Sequence, residues 1–253
     1  MQEKEISKYG LIGYPLSHSF SEKYFTEKFA REHIDHHVYS LYPLEKIEDL
    51  PALLAREADL KGLNVTIPYK EKVLPFLDRI DPAAAAVGAV NTVKITDGRL
   101  TGYNTDAYGF EHSLLDLLDQ KTNTLNALVL GTGGAAKAVA YVLKKLQIGC
   151  KYVSRTRKKD CLTYSEINRE TLANHRLLVN TTPLGMSPNS QTFPDLPYRF
   201  LSREHFLYDL VYNPEQTAFL KKGKDKGAKT KNGLEMLYLQ AEKSWEIWQQ
   251  AAE

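Results

Sequence analysis

A glycine-rich turn in the middle of the chain carries the residue types that most directly suggest binding chemistry. Residues 127–130 are entirely apolar, and Gly131, Gly133 and Ala136 then match the G-x-G-x-x-G/A pattern that opens a helix. The first glycine permits a tight turn, the second lets the backbone approach a pyrophosphate, and the small third residue permits close packing. The N–H groups at the helix start face the anion. A turn without a ligand is the alternative, but the flanking strand and helix patterns favour a dinucleotide-binding loop.

The basic segment that follows the next predicted strand, CKYVS, indicates which dinucleotide is bound. NAD-binding proteins usually place an acidic residue about 20 residues past the glycine loop, where it holds the ribose hydroxyls. Here the chain reads SRTRKK over residues 154–159. A carboxylate would repel a 2′-phosphate, whereas a guanidinium and a hydroxyl can bind one, and Arg155 can also stack on the adenine. A solvated basic loop is the alternative, and the position favours NADP over NAD.

Polar side chains also accumulate where other apolar segments end. The segment LNVTIPYKEKV places Asn64 and Thr66 at alternate positions, followed by Lys70, and HRLLVNTTPLGM ends its apolar run in Asn180 and Thr181. Ligands bind beyond the carboxyl ends of strands in open parallel sheets. The second of these segments, and FLYDLVYNP after it, are therefore expected near the nicotinamide half of a cofactor.

Short apolar runs alternate with helical stretches from residue 9 to residue 95, which predicts a parallel α/β sheet. The runs KYGLIG, HHVYSLYPL and LNVTI are predicted strands. A helix is predicted from Phe20, Tyr24, Phe25 and Phe29 at helical spacing, and another over IEDLPALLAREADLKG that ends near Gly62. The segment AVNTVKITDGRLTGYNTD predicts a hairpin that turns at TDG.

A second unit is expected to open after Asp106 with a helix over YGFEHSLLDLLDQ. The segments ALVL, CKYVS, HRLLVN and FLYDLVYNP are predicted strands, and SPNSQTFPDLPY is a predicted loop. The closing segment KTKNGLEMLYLQAEKSWEIWQQAAE is predicted to be a helix, with Gln240 beside its apolar stripe. That stripe comprises Leu234, Leu237, Ala241, Trp245 and Trp248.

Composition excludes several classes of protein. The 253 residues are 43% hydrophobic and 25% charged, with a formal net charge of +2, which is typical of globular proteins and gives no reason to expect a nucleic-acid or membrane partner. The sequence shows neither a transmembrane run nor the apolar core of a signal peptide, and two cysteines cannot form a disulfide framework. We expect a cytoplasmic protein. The histidines of HIDHH lack a further ligand at metal-site spacing, so no metal is expected.

The sequence resembles the shikimate dehydrogenase family over residues 9–248. The matching stretches, in order, are GYPLSHSFS, LNVTIPYKEKV, GAVNTV, GYNTDAYGF, GTGGAAKA, SRT, NTTPLGM, YDLVYNP and NGLEMLYLQA. The resemblance implies an α/β fold of two domains with the active site in the cleft between them. One is an N-terminal α/β substrate domain, residues 1–105 plus 234–253, and the other a Rossmann-type NADP-binding domain, residues 106–233. It also implies reversible NADP-dependent reduction of 3-dehydroshikimate to shikimate, in aromatic amino-acid biosynthesis.

The resemblance assigns Lys70 and Asp106 to catalysis. Oxidising a secondary alcohol releases a hydride and a proton, so one side chain must take the proton that the nicotinamide does not. A lysine ammonium can also stabilise negative charge on the oxygen. Which of the two residues donates the proton stays open. The substrate-binding residues that the resemblance implies are Ser17, Ser19, Asn64, Thr66, Lys70, Asn91, Asp106, Tyr212 and Gln240.

The resemblance likewise implies a set of cofactor-binding residues, with two departures from the family. Ser154 stands where many members have asparagine, and Lys159 stands in for a second arginine without its bidentate grip. The implied set is Gly131, Gly133, Gly134, Ala135, Ser154, Arg155, Thr156, Lys159, Asn180, Thr181 and Gly233.

Two alternatives to this interpretation remain open. One is activity on quinate, or with NAD, as in sister enzymes that share most of these motifs. The other is a ligand sensor without activity, against which the presence of both Lys70 and Asp106 argues. The substrate is expected to be a small molecule, and the chain a monomer or homodimer.

Overall fold

The computed structural model describes residues 6–16, 19–120 and 122–251. The chain forms two compact units: unit 1 comprises Met1–Thr105 and Ala241–Glu253, and unit 2 comprises Asp106–Gln240. Within the described ranges, each unit contains one six-stranded sheet. Among the described residues, no helix combines the length and apolar character that crossing a membrane requires.

Unit 1 contains a mixed sheet in the order β2-β1-β3-β5-β6-β4. Strand β1 is parallel to β2 and β3, whereas β5 is antiparallel to both β3 and β6. The β5–β6 pair is the hairpin predicted at TDG, and Asp97 and Gly98 both have positive φ there, as a tight hairpin turn requires. The elements are β1 (Ser7–Gly13), α1 (Phe20–Arg31), β2 (His37–Pro43), α2 (Leu50–Arg56), β3 (Leu60–Val65), β4 (Arg79–Ile80), α3 (Pro82–Val87), β5 (Thr92–Thr96) and β6 (Arg99–Tyr103).

Unit 2 contains an entirely parallel sheet in the order β12-β11-β10-β7-β8-β9. Counted from its first strand this is the 3-2-1-4-5-6 order of the Rossmann fold, with the switch point between β7 and β10. The predicted α/β fold is confirmed. The elements are α4 (Thr105–Leu117), β7 (Asn126–Leu130), α5 (Gly134–Lys145), β8 (Gly149–Ser154), β9 (Cys161–Thr163), α6 (Arg169–Asn174), β10 (Leu177–Asn180), β11 (Phe206–Asp209), α7 (Ala218–Lys224), β12 (Lys229–Lys231) and α8 (Leu234–Gln249).

The predicted end of the second helix was wrong. Helix α2 ends at Arg56 instead of near Gly62, because Leu60 and Gly62 pair with β1 as part of strand β3. Gly62 looked like a helix stop, but its role is packing: a Cβ built on it would overlap the indole of Trp248.

Three other predicted boundaries also move. Strand β3 ends at Val65, and Ile67 is 75% exposed instead of continuing the strand. Strand β11 ends at Asp209, before the YNP segment. The residues Lys229–Lys231, predicted as helix, form β12, because their backbone pairs with β11 at the sheet edge.

The apolar stripe predicted on the last helix packs in part as expected. Ala241 and Trp248 are buried with Tyr9 and with Phe25 and Phe29 of α1, and Trp245 packs against this cluster. Leu234 and Leu237 are half-buried.

Replacing Gly62 with alanine is expected to lower the free energy of unfolding by about 1–3 kcal/mol, because the added methyl overlaps the buried Trp248 ring. Urea denaturation measures this loss. The matched control is Lys61→Ala at the exposed neighbouring position of β3, where nothing comparable is displaced. Equal stability of the Gly62→Ala variant and the wild type would contradict the packing role.

Candidate active site

The glycine loop lies at the switch point of the unit 2 sheet. Gly131 directly follows β7 and has a φ of 117°, a conformation that side-chain-bearing residues rarely adopt. Its N–H donates to the carbonyl of Val153 over 2.9 Å, and a Cβ on it would lie 2.6 Å from Thr181 Oγ1. Both backbone conformation and available space therefore require glycine at residue 131.

Gly133, unlike Gly131, lies beside open space. It is the N-cap of α5 with a φ of −85°, and a Cβ built on it meets no described atom within 4 Å. Residues 134–137 include no acidic side chain, and Ala136 is fully buried beneath the loop. The start of α5 thus combines free space, unshielded helix N–H groups and close packing, which fits a dinucleotide pyrophosphate. Gly134 and Ala135 form the first turn of this helix.

Asn180 is the last residue of β10 and Thr181 follows it, at the sheet edge that carries the glycine loop. The Thr181 N–H and hydroxyl donate to the Leu130 carbonyl over 2.9 and 2.7 Å, which ties the two sides of the switch point together. The fully buried Asn180 side chain donates from Nδ2 to Asp209 Oδ1 over 2.9 Å, and its Oδ1 accepts from the N–H and hydroxyl of Thr182. Thr181 therefore borders the glycine loop, whereas the Asn180 amide bonds inside the protein, and its contact with a cofactor stays a prediction.

Asp209 is a buried carboxyl that sequence reasoning did not single out. It accepts hydrogen bonds from Asn180 Nδ2, from the Val211 N–H at 3.1 Å and from the Thr217 hydroxyl at 2.6 Å. Burial raises the pKa of Asp209 to about 6, although these three hydrogen bonds oppose the rise. A polar residue inside an apolar run was the available signal, but the sequence could not show which partners it finds.

Stability should depend on pH through Asp209. The pKa of Asp209 is about 6 in the folded state, against an ordinary value of 3.8. Between these two pH values the folded state therefore holds a proton that the unfolded chain has lost. Asp209 therefore destabilises the protein above about pH 6, and this cost disappears as the pH falls. Relative to an Asp209→Asn variant, the wild type is expected to gain unfolding free energy on acidification, as measured by urea denaturation at several pH values. A relative gain with rising pH would contradict the assignment.

The basic segment follows β8 as a loop. Ser154 is buried and its Oγ accepts from the Thr156 N–H at 3.4 Å, while residues 155–160 are exposed. Lys158 Nζ donates to Thr132 Oγ1 over 2.9 Å and so reaches the glycine loop. The second cation predicted from the sequence was Lys159 and not Lys158. The spacing of a basic run does not show which side chain turns towards the glycine loop.

Lys70 lies just after strand β3 in unit 1. The chain turns at residues 66–69, where the Tyr69 N–H donates to the Thr66 carbonyl over 2.9 Å, and Thr66 N–H donates to the Ile12 carbonyl over 2.9 Å. The Lys70 carbonyl accepts from the Val90 N–H over 2.8 Å, and the Lys70 side chain is half-buried. The turn after β3 therefore anchors the backbone of Lys70 to the residues that precede β5.

Asn91, the residue after Val90, anchors the start of helix α4. Its Oδ1 accepts from the Thr105 N–H over 2.6 Å, and its Nδ2 donates to Thr105 Oγ1 over 2.9 Å. Asp106 is the next residue along the chain and lies in the first turn of α4. The consecutive residues Val90 and Asn91 thus hold the backbone of Lys70 and the residue before Asp106.

Asn64, also predicted to bind substrate, lies in a buried polar cluster. Its Oδ1 accepts from the Tyr39 hydroxyl over 2.8 Å, and its Nδ2 donates to Ser244 Oγ over 3.0 Å. Sequence reasoning missed Ser244, because the helical pattern of α8 places it beside the apolar stripe and gives no sign of polar partners across unit 1.

The remaining predicted residues are placed separately. Ser17 lies outside the described residues, and Ser19 is the N-cap of α1, where its Oγ accepts from the Ser21 N–H over 3.2 Å. Tyr212 is 37% exposed, and partial burial raises the pKa of its phenol. Gln240 is 8% exposed and donates to the Leu237 carbonyl over 2.9 Å. Gly233 packs against the Leu210 carbonyl so closely that a Cβ would overlap it.

Comparison with known proteins identifies the family. A protein-family model, that of the shikimate dehydrogenase substrate binding domain, matches residues 11–93. A curated shikimate dehydrogenase (NADP(+)) of Carboxydothermus hydrogenoformans is 40% identical to this chain, in an alignment that covers 94% of this chain and 90% of that protein. The chain belongs to the shikimate dehydrogenase family. The predicted resemblance is therefore confirmed over nearly the whole chain.

Solved structures of the family agree with this assignment. Shikimate 5-dehydrogenase from Thermus thermophilus, in complex with NADP(H) and shikimate, superposes with a TM-score of 0.80 at 34% identity, covering 96% of this chain and 94% of that one. Quinate dehydrogenase from Corynebacterium glutamicum, in complex with NAD, gives a TM-score of 0.85 at 27% identity, covering 97% and 94%. The same fold therefore occurs in an enzyme solved with NADP(H) and shikimate and in one solved with NAD.

Proposed function

We propose that this protein catalyses the reversible NADP-dependent reduction of 3-dehydroshikimate to shikimate. The observation that carries the proposal is the 40% identity to a shikimate dehydrogenase (NADP(+)) over 94% of the chain. The glycine loop and basic segment of unit 2 and the turn that carries Lys70 in unit 1 support it. Within the proposal, residues 1–105 plus 234–253 form the substrate domain and residues 106–233 the NADP-binding domain.

The residues of unit 2 fit NADP. Gly131, Gly133 and the first turn of α5 would hold the pyrophosphate, while Arg155 and Thr156 would hold the 2′-phosphate. Ser154, Lys159, Asn180, Thr181 and Gly233 complete the proposed set. When bound, NADP supplies the hydride acceptor and, in its reduced form, the hydride. The exposed arginine and lysine side chains of residues 155–159 favour the phosphorylated cofactor because they supply cations and no carboxylate.

Lys70 would manage the proton of the reacting hydroxyl. In oxidation a base must remove the hydroxyl proton as the hydride leaves, and in reduction the same proton must return. Lys70 Nζ would hold or release this proton and, when charged, stabilise negative charge on the oxygen. Asp106 would orient Lys70 or share the proton. Which of them is the donor is part of the proposal that kinetics must decide.

Hydrogen-bonding groups would recognise the polyol carboxylate. Ser17, Ser19 and Tyr212 would bind the carboxylate, since hydroxyl donors to an anion form charge-assisted hydrogen bonds. The ring hydroxyls would be bound by Asn64, Thr66, Asn91 and Gln240, together with Lys70 and Asp106. The capping bond of Ser19 and a contact with the substrate can coexist, because a hydroxyl both donates and accepts.

The decisive experiment follows the absorbance of the reduced nicotinamide with purified protein. Shikimate and quinate are each tested with NADP and with NAD. Turnover restricted to shikimate and NADP supports the proposal, and absence of turnover with every pair, despite binding of shikimate, would support a sensor instead.

Quinate dehydrogenase activity is the second candidate. The similarity to the Corynebacterium glutamicum enzyme in complex with NAD favours it, whereas the basic loop of residues 154–159 argues against NAD. Comparable kcat/KM for quinate or NAD in the same assay would move the protein to this group. A cytoplasmic location and a monomeric or homodimeric state complete the proposal.

Cofactor preference should depend on the basic loop. Replacing Arg155 or Lys158 with alanine is expected to raise the KM for NADP about tenfold or more, because a hydrogen bond to a charged group contributes about 1.5–3 kcal/mol. The KM for NAD should stay unchanged in Lys158→Ala and should rise less than the KM for NADP in Arg155→Ala, which also loses the stacking of Arg155 on the adenine. Lys151→Ala, which removes an exposed cation within β8, is the matched control. An unchanged KM for NADP in both loop variants would exclude these side chains from the 2′-phosphate site.

A further inference from the structure

We propose that Ser244 on helix α8 is a positioning residue that orients Asn64, so that Asn64 meets a substrate hydroxyl as a hydrogen-bond acceptor and not as a donor. The inference rests on the proposed function, which assigns Asn64 to substrate binding. It adds a residue to the recognition of substrate that would itself make no contact with the substrate.

Ser244 forms the centre of a buried polar cluster in unit 1. Its Oγ accepts from Asn64 Nδ2 over 3.0 Å and lies 2.8 Å from Thr92 Oγ1 and 3.1 Å from Thr105 Oγ1. Asn64 is 5% exposed, Thr105 is 1% exposed, and Ser244 and Thr92 are fully buried. Because buried polar groups are costly without partners, the loss of any member leaves the others to rearrange.

The cluster determines which end of the Asn64 amide is available. Besides Ser244, Asn64 Nδ2 donates to Thr92 Oγ1 over 3.2 Å and to the Asn91 carbonyl over 3.3 Å, so protein acceptors occupy both of its N–H groups. Its Oδ1 accepts one hydrogen bond, from Tyr39, and a carbonyl oxygen can accept two. Asn64 can therefore take a further donor, such as a hydroxyl, but has no N–H left to give.

Ser244 supplies the shortest of the three acceptors for Asn64 Nδ2. Without the Ser244 hydroxyl, a 180° flip of the Asn64 amide would break fewer hydrogen bonds. That flip would replace the accepting oxygen with an N–H group. The Thr105 hydroxyl would also lose a partner at the start of α4, immediately before Asp106. Removing the hydroxyl should therefore weaken recognition of the substrate and leave cofactor binding intact.

The test compares Ser244→Ala with a matched control, Ser113→Ala. Ser113 is also a fully buried serine whose hydroxyl bonds a side chain, Glu235 at 2.8 Å, but it lies in unit 2 outside the cluster. We expect Ser244→Ala to raise the KM for shikimate, and its calorimetric Kd without cofactor, about tenfold, with the KM for NADP unchanged. The control should change neither constant. An unchanged shikimate Kd in Ser244→Ala overturns the inference.

A double-mutant cycle tests whether Ser244 acts through Asn64. If it does, the Asn64→Ala and Ser244→Ala double variant should bind shikimate as weakly as Asn64→Ala alone. Additive losses would overturn the inference. If Ser244→Ala does not fold, Ser244→Cys keeps a similar shape with a weaker acceptor and should shift the Kd in the same direction. Failure of the wild type to oxidise shikimate with NADP would instead reject the proposed function, so the two failures are distinguishable.

Discussion

Replacing Lys70 with alanine is expected to lower the kcat for shikimate oxidation by about 10²–10⁴-fold, the usual contribution of a positioned proton-transfer group. The loss should appear in kcat and in kcat/KM, because the interaction that is removed acts mainly in the transition state. The Kd for NADP should stay unchanged, since the groups proposed to hold its phosphates are the glycine loop, Arg155 and Thr156.

The chain offers a matched control two residues away. Lys72 is exposed, follows the same turn and carries the same charge, so Lys72→Ala removes an equal charge from the same segment. Wild-type kcat in Lys72→Ala, together with the loss in Lys70→Ala, would assign the effect to the Lys70 ammonium. Equal losses in the two variants would indicate a general effect of charge on the segment, and wild-type kcat in Lys70→Ala would remove Lys70 from the mechanism.

The order of the Rossmann-type elements could be predicted because local patterns specify them. The apolar run of β7, the glycines after it and the apolar face of α5 all lie within about 20 residues, where periodicity and turn chemistry are informative. The hairpin of β5 and β6 was predictable for the same reason, since Asp97 and Gly98 take the positive φ values that its turn requires.

The boundaries that failed depend on partners distant in sequence. Gly62 ends no helix because the Trp248 indole occupies the space above it, and Lys229–Lys231 form a strand because β11 provides an edge. Neither partner is visible in the local sequence. The same holds for Ser244, Asp209 and Lys158, whose importance lies in contacts with residues far along the chain.

The second large effect is expected in the glycine loop, where Gly131 should be required for stability and Gly133 for binding of NADP. Gly131→Ala should lower the free energy of unfolding by about 1–3 kcal/mol for the backbone conformation alone, because the φ of 117° is sparsely allowed for alanine. The new methyl would also lie 2.6 Å from Thr181 Oγ1. Thr181 cannot easily withdraw, because both its N–H and its hydroxyl are bonded to the Leu130 carbonyl.

Gly133→Val should behave in the opposite way. Gly133 has a φ of −85° and a ψ of −174°, which valine adopts readily, and its missing side chain would point where no described atom lies within 4 Å. Valine is a poorer N-cap residue than glycine, so the unfolding free energy should fall by about 1 kcal/mol or less, a smaller loss than in Gly131→Ala. The valine methyls would instead occupy the space proposed for the pyrophosphate, so the KM for NADP should rise about tenfold or more, with a smaller change in the KM for shikimate.

Urea denaturation and NADP titration of both variants decide between the two roles. If Gly133→Val is stable and binds NADP as the wild type does, the open space at the start of α5 does not hold the cofactor. If Gly131→Ala is as stable as the wild type, the positive φ and the contact with Thr181 are not what requires glycine there. Loss of stability in Gly131→Ala and loss of NADP affinity in Gly133→Val would show that the two glycines of one loop have separate roles. Gly131 permits the turn of the chain, and Gly133 permits an anion to approach the helix.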